Sequence, residues 1–561
     1  MLKKSIWFFT TYWHYILFVW ISIFVYDGIF NNGFVNFDDH LQLTENYRVQ
    51  TISFQSIEIL FTTATVNMYQ PLTSFILAVL FYAAKFTAGY YHLFSLLVHI
   101  FNGVLVYHIV IKLFKSKIQS VWIALFFLIH PIMAEAVSWV SATSTVLYVF
   151  FFLFATLCYL NFYKSGKKVY YFIAFLLFLP GLFCKIQIII FIPVLFLIDW
   201  FYTKKRFQLK RVFYTLPFIL LAGIFIMVAI SFRGTDHSSF TVDYPSWLIA
   251  PNQVIWYVYK YIAPFSLTIL YDWPVSLGIR ECFFSFLFLV LLFSVYALRR
   301  NRLFVFGILF FLLTIGLHTT LFIRFLSPYA DRYGYLPYLG FLIALFAIIS
   351  RLKSTYTVYA GIAYILLFSY LTTQQTKIWK NSDTLWTHNL KSQKTLIARV
   401  NRASYHVESK QYNKSMKDIE FILKESDDHS YKKEKSSAYY YLGIINYNKN
   451  KLDKAERSYL KSIEMNPKKY EAFYNLVNLY TTQQNYLKSI NTYTKGIAIQ
   501  KNFPSLYKNR ANAYYQVGEY KKALEDVNKA LEINQKLALA NTKDVSLYDF
   551  KKELLKKLNE N

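Results

Sequence analysis

Long apolar runs with almost no charge are the feature that most constrains the fold of this chain. Four of them cover residues 12–30, 91–114, 147–163 and 303–322. About 20 apolar residues in a helix are needed to cross a hydrocarbon core of about 30 Å. The chain is 55% hydrophobic with a mean hydropathy of +0.30, more apolar than a soluble core of this length can bury. These runs therefore predict an all-α, polytopic membrane domain over residues 1–371.

Short basic clusters separate the apolar runs and orient them. The formal net charge is +28, and many of the cations lie at 115–117, 164–168, 204–211, 299–302 and 351–353. Cytoplasmic loops concentrate Lys and Arg in this way, which favours membrane topology over nucleic-acid binding. With the clusters in the cytoplasm, eleven spans put the loop 31–90 and the C-terminal part of the chain on the outer side. Counting the apolar segments 71–86 and 254–270 as spans would break this pattern. We therefore predict that 71–86 is a helix lying on the outer interface and that 254–270 is interfacial or re-entrant.

The predicted spans cover residues 9–30, 91–113, 119–133, 142–162, 169–184, 187–202, 212–231, 282–298, 303–323, 335–350 and 356–371.

A repeat of 34 residues follows the last span. Ala455, Ser489 and Ala523 recur at this interval, and so do Tyr459 and Tyr493. Small residues where helices cross, with aromatic residues beside them, are typical of the tetratricopeptide repeat (TPR). The pattern predicts about four TPR units over 401–540, the first degenerate. A linker helix over 372–400 precedes them, and a polar cap over 541–561 follows.

Two adjacent carboxylates, Asp38 and Asp39, stand in the loop after the first span. At a membrane surface, one of them can act as a general base on a hydroxyl while the other orients it. The pair also permits a divalent Mg or Mn ion without requiring one. The structural alternative is that the two residues cap the next helix.

Further polar residues recur at the predicted outer ends of the spans. Ionisable groups near membrane depth are costly, which favours a site facing a polar cavity. Arg332 is suited to contact the phosphate of a lipid-linked substrate through its forked guanidinium. The candidate substrate-binding residues are His92, His99, His130, Glu135, Lys185, Arg332 and Tyr333. The structural alternatives are a helix–helix hydrogen bond for His99, a local ion pair for Asp331 and Arg332, and snorkelling for Lys185.

Several motifs together resemble a known family. They are Phe34-Val-Asn-Phe-Asp-Asp39, Tyr69-Gln-Pro-Leu-Thr73, Tyr91-His-Leu-Phe-Ser-Leu-Leu-Val-His99, His130-Pro-Ile-Met-Ala-Glu-Ala-Val-Ser-Trp139 and Asp331-Arg-Tyr-Gly-Tyr-Leu-Pro337, followed by the repeats. In this order they resemble the transmembrane and TPR-containing O-mannosyltransferases, which belong to the GT-C class of membrane glycosyltransferases. The chain departs from the family pattern at 141–146 and at Ile186, where the family has an acid.

The resemblance implies that Asp38 and Asp39 are the family's acidic pair, that 71–86 is the juxtamembrane helix of the class, and that Arg332 contacts lipid phosphate. We therefore expect a bacterial inner-membrane enzyme that moves a mannose or other hexose from a polyprenyl-phosphate donor to hydroxyls of a protein acceptor. The acceptor would bind in the groove of an extracytoplasmic TPR domain. The alternatives are a non-catalytic TPR scaffold for envelope assembly and a lipid-linked polysaccharide assembly enzyme.

Overall fold

The computed structural model of the chain describes residues 2–66, 68–203, 209–232, 246–273, 278–321, 327–352, 354–425, 431–499, 501–536 and 545–560. Within these ranges the fold is all-helical and contains no β-strand. Parts of the predicted basic clusters, ninth span, repeats and cap lie outside the described residues, at 204–208, 353, 322–326, 426–430, 500, 537–544 and 561. The chain divides into two compact units, Met1–Lys394 and Thr395–Asn561.

The first unit is built from sixteen described α-helices joined by short turns. In chain order they are α1 Leu2–Tyr26, α2 Phe54–Thr62, α3 Pro71–Ala84, α4 Ala88–Phe114, α5 Lys117–Ile129, α6 Ala134–Ser138, α7 Thr143–Ser165, α8 Lys168–Cys184, α9 Phe191–Thr203, α10 Leu209–Ser231, α11 Ser246–Ile262, α12 Ile279–Ala297, α13 Arg302–Gly316, α14 Pro337–Ile349, α15 Ser354–Lys377 and α16 Ser382–Ser392. The connecting 3₁₀ turns include Asp27–Asn31, Pro131–Met133, Val140–Ala142, Ile186–Ile190, Asp331–Gly334 and Ile378–Lys380.

Several of these segments are long and apolar enough to cross a membrane. In the described part of the chain they are Tyr12–Asn31, Ala88–Phe114, Val140–Ser165, Ile186–Thr203, Val212–Ser231, Ile279–Ala297 and Thr355–Lys380. Four apolar helices, α3, α8, α13 and α14, are shorter. The segment 254–270, predicted to be interfacial or re-entrant, begins in α11 and continues without helix after Ile262.

The predicted third span, 119–133, is not one straight helix. It ends at Ile129, and Pro131–Ser138 continues at an angle of 52°. Pro131 has no N–H to donate, and a proline disfavours helical backbone in the residue before it. His130 accordingly has extended backbone, with φ −70° and ψ 132°. The bend turns α6 and its Glu135 away from the direction of α5.

Two of the short helices, α13 and α14, pack against each other through their backbones. A Cβ atom added to Gly340 would lie 2.5 Å from the backbone nitrogen of Phe311, and one added to Gly307 would meet the backbone of Ala344. Only glycine allows helices to approach this closely, and membrane helices often associate through such small residues. Any larger residue at either position would force the pair apart.

The second unit is a series of helical hairpins. Its described helices are α17 Leu396–Glu408, α18 Tyr412–Lys424, α19 Lys432–Asn448, α20 Leu452–Met465, α21 Tyr470–Thr482, α22 Tyr486–Ile499, α23 Pro504–Gln516, α24 Tyr520–Lys536 and α25 Val545–Glu560. The starts of α20, α22 and α24 are spaced by the 34 residues seen in the sequence. Ala455, Ser489 and Ala523 are fully buried, as expected for small residues where helices cross.

The predicted linker helix over 372–400 is divided among several helices. Its first residues continue α15 to Lys377, and Asn381 then caps α16 by accepting a hydrogen bond from the Thr384 N–H. Asn381 has extended backbone with φ −160° and ψ 176°, which a continuous helix cannot include. The rest of the segment belongs to α17, in the second unit.

Candidate functional site

The loop after α1 holds its two carboxylates in different backbone conformations. The Asp27–Asn31 turn ends α1, and the chain then runs to Asp38, whose φ is +67°. Few residues other than glycine adopt this left-handed region, and Asp and Asn are among those that do so most readily. Such conformations persist where the surrounding structure holds them in place, often at functional sites. The Asp38 conformation therefore directs its side chain differently from that of the adjacent Asp39.

Asp39 is buried and fully engaged by protein donors. Its Oδ2 accepts a hydrogen bond from the Val35 N–H at 3.0 Å. Its Oδ1 accepts from the Ser141 N–H at 2.9 Å and from the Ser141 hydroxyl at 2.5 Å. Burial raises the pKa of Asp39 to about 7, although these hydrogen bonds act to lower it. The Asp39 side chain does not cap the helical turn that follows, so it ties the loop to the start of α7 instead.

Asp38 is the carboxylate that remains available. It is half-buried, and no hydrogen bond to its side chain is present among the residues the structure describes. Burial raises the pKa of Asp38, while the positive charge of Arg332 and the neighbouring His40 oppose that rise. Asp38 is therefore a carboxylate within electrostatic range of a guanidinium and with free acceptor oxygens. These are the properties expected of a general base.

Arg332 interacts electrostatically with Asp38 and is held by Glu135. The Arg332 N–H donates to Glu135 Oε2 at 2.9 Å, and its guanidinium forms an ion pair with Glu135 Oε1. The guanidinium also lies 5.0 Å from the Trp139 ring centroid and 4.9 Å from that of Tyr333. Its side chain is still 19% exposed, so part of its donor capacity can reach a ligand. The alternative pairing with Asp331 is not formed, because Asp331 accepts a hydrogen bond from the Tyr271 hydroxyl instead.

Lys185 supplies a second cation to the same region. Its Nζ donates to the Thr145 hydroxyl at 2.8 Å and lies 5.9 Å from the Tyr148 ring centroid. Burial lowers the pKa of Lys185 to about 7, the charge of Arg332 adds to this effect, and Glu135 opposes it. A lysine that snorkels to water would keep its ordinary pKa. With a pKa this close to neutrality, Lys185 can be either protonated or neutral near pH 7.

A stack of aromatic rings forms one wall of the cluster. Trp139 lies between Phe37, at 5.3 Å, and Trp379, at 5.9 Å between ring centroids. Its indole N–H donates to the Phe37 carbonyl at 3.0 Å. On the other side, the His318 ring stacks on Tyr333 at 4.3 Å. These rings exclude water around Arg332, which strengthens its electrostatic interactions.

Three predicted substrate-binding histidines do not contribute exposed groups to this cluster. His99 is fully buried, with Nδ1 at 2.6 Å from the Tyr335 hydroxyl and Nε2 at 3.0 Å from the Leu128 carbonyl. His130 is also fully buried, and its Nε2 donates to the Tyr261 carbonyl while its Nδ1 accepts from the Ile132 N–H. His92 is 1% exposed beside the backbone of Asn32 and Gly33. His99 and His130 therefore use both ring nitrogens within the protein, and the assignment of the three histidines as substrate ligands stays a prediction.

The donor set does not fit the divalent ion that the sequence permits. Both oxygens of Asp39 are already used by Val35 and Ser141. Asp38 is then the only carboxylate of the pair with free oxygens, and its neighbour is the cationic Arg332. No group of three or more His, Cys, Asp or Glu side chains able to hold a metal occurs in the described ranges. Arg332 and Lys185 supply the positive charge of this cluster instead.

The structure thus brings together Asp38, Glu135, Lys185, Arg332 and Tyr333, which are far apart in sequence. Sequence reasoning missed Ser141 and Thr145, which bind Asp39 and Lys185. Both lie in the segment 141–146 where the chain departs from the family pattern, and that departure was the only signal for them.

Comparisons with known proteins identify the hairpins of the second unit. Models of the tetratricopeptide repeat match residues 436–469, 470–503 and 504–537. Residues 436–537 are TPR repeats. The α17–α18 hairpin, predicted as a degenerate first unit, lies before the matched residues. No curated protein matches the chain.

Solved structures with matching chains include two described as MamA. They are 22% and 23% identical, cover 28% of this chain and 88% and 82% of theirs, and both have a TM-score of 0.24. A third, from the APC/C hetero-tetramer Cut9–Hcn1, is 10% identical, covers 90% of this chain and 100% of its own, and has a TM-score of 0.25. Superpositions at this level carry no conclusion about function.

Proposed function

We propose that this chain is a membrane glycosyltransferase of the GT-C class. It would transfer a hexose such as mannose from a polyprenyl-phosphate donor to hydroxyls of a protein acceptor. The observation that carries the proposal is the pairing of an available carboxylate, Asp38, with a partly exposed guanidinium, Arg332, at the end of apolar helices. A hydroxyl acceptor needs a base, and a lipid phosphate needs a cation. This cluster offers both.

In the proposed reaction, Asp38 accepts the proton of the acceptor hydroxyl as its oxygen attacks the anomeric carbon. The bond from that carbon to the phosphate oxygen breaks, and its electron pair leaves with the polyprenyl phosphate. Arg332, fixed by Glu135, stabilises the negative charge that develops on this oxygen. Attack opposite the leaving group inverts the anomeric centre.

The remaining residues position these groups. Asp39, held by Ser141 and Val35, fixes the backbone that presents Asp38. In its protonated form, Lys185 places a second positive charge near the leaving phosphate, and Tyr333 and Trp139 enclose Arg332. The TPR repeats would recruit the protein acceptor, since stacked hairpins provide an extended groove for peptides. The parity of the predicted spans would put the repeats outside the inner membrane of a bacterial cell.

The test compares hexose modification in cells, by mass spectrometry of envelope proteins and glycans. The strains are wild type, a deletion, Asp38→Asn, and Glu58→Gln as a control that removes an exposed carboxylate from the same loop. Asparagine also tolerates positive φ, so Asp38→Asn changes the chemistry and leaves the backbone in place. All variants must accumulate in the membrane as the wild type does.

We expect a hexose modification of protein to disappear in the deletion and in Asp38→Asn and to persist in Glu58→Gln. If the deletion disturbs envelope assembly while Asp38→Asn behaves like wild type, the catalytic proposal fails and a TPR scaffold takes its place. If glycans lose hexose while proteins keep theirs, the acceptor is a polysaccharide.

A further inference from the structure

A large cavity lies between α1, the Asp27–Asn31 turn and the end of α15, on different residues from the Asp38 cluster. Its volume is about 1050 Å³. One wall is apolar and is formed by Trp20, Ile23 and Phe24, with the Trp20 and Phe24 rings stacked at 5.6 Å. The other wall is polar and consists of Asp27, Asn31, Asn32, Thr373, Lys377 and Lys380. The cavity therefore has two chemically distinct sides.

A second cavity continues the apolar side along α1. It has a volume of about 460 Å³ and is lined by Tyr15, Ile16, Val19, Trp20 and Ile23. It shares Trp20 and Ile23 with the first cavity. From Tyr15 to Asp27 the helix rises about 18 Å at roughly 1.5 Å per residue. Together the two cavities form a groove that is polar at one end and apolar along its length.

The polar end lies where two candidate spans stop. The apolar segments Tyr12–Asn31 and Thr355–Lys380 both end at this cavity, so in a bilayer its polar end is at the depth of the lipid headgroups. Lys377 and Lys380 are exposed there, and neither forms an ion pair within the described ranges. Asp27 is the single carboxylate among the lining residues, so the mouth of the cavity carries excess positive charge.

We propose that this groove binds an anionic phospholipid of the phosphatidylglycerol type. Lys377 and Lys380 contact the headgroup phosphate, Asn31 offers hydrogen bonds to the headgroup, and an acyl chain lies along Trp20 and Ile23. Paired lysines attract anionic headgroups, and an apolar groove adds the hydrophobic contribution of each buried methylene. The shape and charge of the groove match an amphiphile with one phosphate end.

This lipid would also stabilise the loop that carries Asp38. The Lys380 carbonyl accepts a hydrogen bond from the Gly33 N–H at 2.9 Å, and the Asn32 side chain donates to the Thr376 carbonyl at 3.1 Å. Trp379, adjacent to Lys380, stacks on Trp139. A headgroup held between the Asp27–Asn31 turn and the end of α15 therefore fixes both sides of the loop's first turn.

The test measures lipid binding directly, by native mass spectrometry of the purified full chain titrated with phosphatidylglycerol or phosphatidylcholine. Lys377→Gln with Lys380→Gln removes the headgroup contacts, and Lys377→Arg with Lys380→Arg keeps the charge. Lys167→Gln with Lys168→Gln is the matched control, since these are exposed lysines at another loop. With two lysines removed, we expect phosphatidylglycerol affinity to fall about 30-fold, to survive in the arginine variant and to be unchanged in the control.

Equal phosphatidylglycerol binding by wild type and the glutamine variant overturns the proposal, and so does equal binding of phosphatidylcholine by the wild type. A third arm adds polyprenyl phosphate as a competitor. If it displaces phosphatidylglycerol at lower concentration from the wild type, and the glutamine variant also loses its affinity for polyprenyl phosphate, the groove belongs to the donor and the phospholipid assignment is overturned. Because binding is measured without transfer, the outcome is independent of whether the proposed transferase activity exists.

Discussion

Asp39 provides a test of the site that does not require the substrates. Its pKa of about 7 in the folded chain, against an ordinary value of 3.8, corresponds to about 4 kcal/mol at roughly 1.4 kcal/mol per pKa unit. Below pH 3.8 both the folded and unfolded states keep the proton, and this contribution to stability is complete. As the pH rises, the unfolded state ionises first, so the contribution is lost progressively until about pH 7.

From these values, Asp39 lowers the free energy of unfolding by about 2.5 kcal/mol between pH 5 and pH 7.5. That corresponds to a fall in Tm of about 3–5 °C for a unit of this size. The asparagine of the Asp39→Asn variant cannot ionise, so the Tm of this variant does not show the fall that Asp39 causes in the wild type. The Tm of Asp39→Asn minus that of the wild type should therefore rise across this pH range.

The buried thiols Cys158 and Cys184 allow the measurement with a thiol-reactive dye, in a Cys282→Ser background that removes the exposed cysteine. Glu58→Gln, which neutralises an exposed carboxylate of the same loop, should follow the wild type at every pH. Parallel Tm curves for Asp39→Asn and wild type would refute the inference that burial holds a proton on Asp39.

Three further predictions concern single contacts. Arg332→Lys should lower initial transfer rates about 10–100-fold, because an ammonium cannot reproduce the guanidinium contacts, while Arg280→Lys at an exposed ion pair should not. Gly443→Ala places a methyl group 2.5 Å from a tyrosine ring carbon and should destabilise the TPR unit by about 1–3 kcal/mol, and an unchanged thermal melt would contradict this. Asp526→Asn removes the negative charge and replaces one of the two oxygens to which Arg510 donates at 2.7 Å with an amide nitrogen that cannot accept. It should cost about 3 kcal/mol in urea unfolding, and the loss should be smaller in an Arg510→Met background.

The sequence predicts the helices well because hydropathy and repeat spacing act locally. Residues 436–537 keep their 34-residue interval since each hairpin must present the same small residue to its neighbour. The break at Pro131 was also available from the sequence, because proline ends helices for a local reason. The run 119–133 nevertheless stays apolar past that proline, so hydropathy alone gives a single span.

The candidate site is less predictable, because its contacts join distant segments. Asp38 and Arg332 were identified from their charge and position, which are local properties. His99 and His130 carry the same local signal, but their ring nitrogens are occupied by partners such as Tyr335 and the Tyr261 carbonyl. Ser141 binds Asp39 across 102 positions of sequence. The sequence segments around Ser141 and Asp39 give no sign of this contact.

If α13 and α14 cross a bilayer as the sequence predicts, their close contact through Gly307 and Gly340 has a consequence for the surrounding membrane. These helices have 15 and 13 residues, so they extend about 20–23 Å at roughly 1.5 Å per residue. The hydrocarbon core of a bilayer is about 30 Å thick, and helices shorter than this thin the bilayer locally. Because α14 starts just after Arg332, thinning would bring the water boundary toward this guanidinium. A phosphate travelling in the membrane plane could then reach it without leaving the headgroup layer.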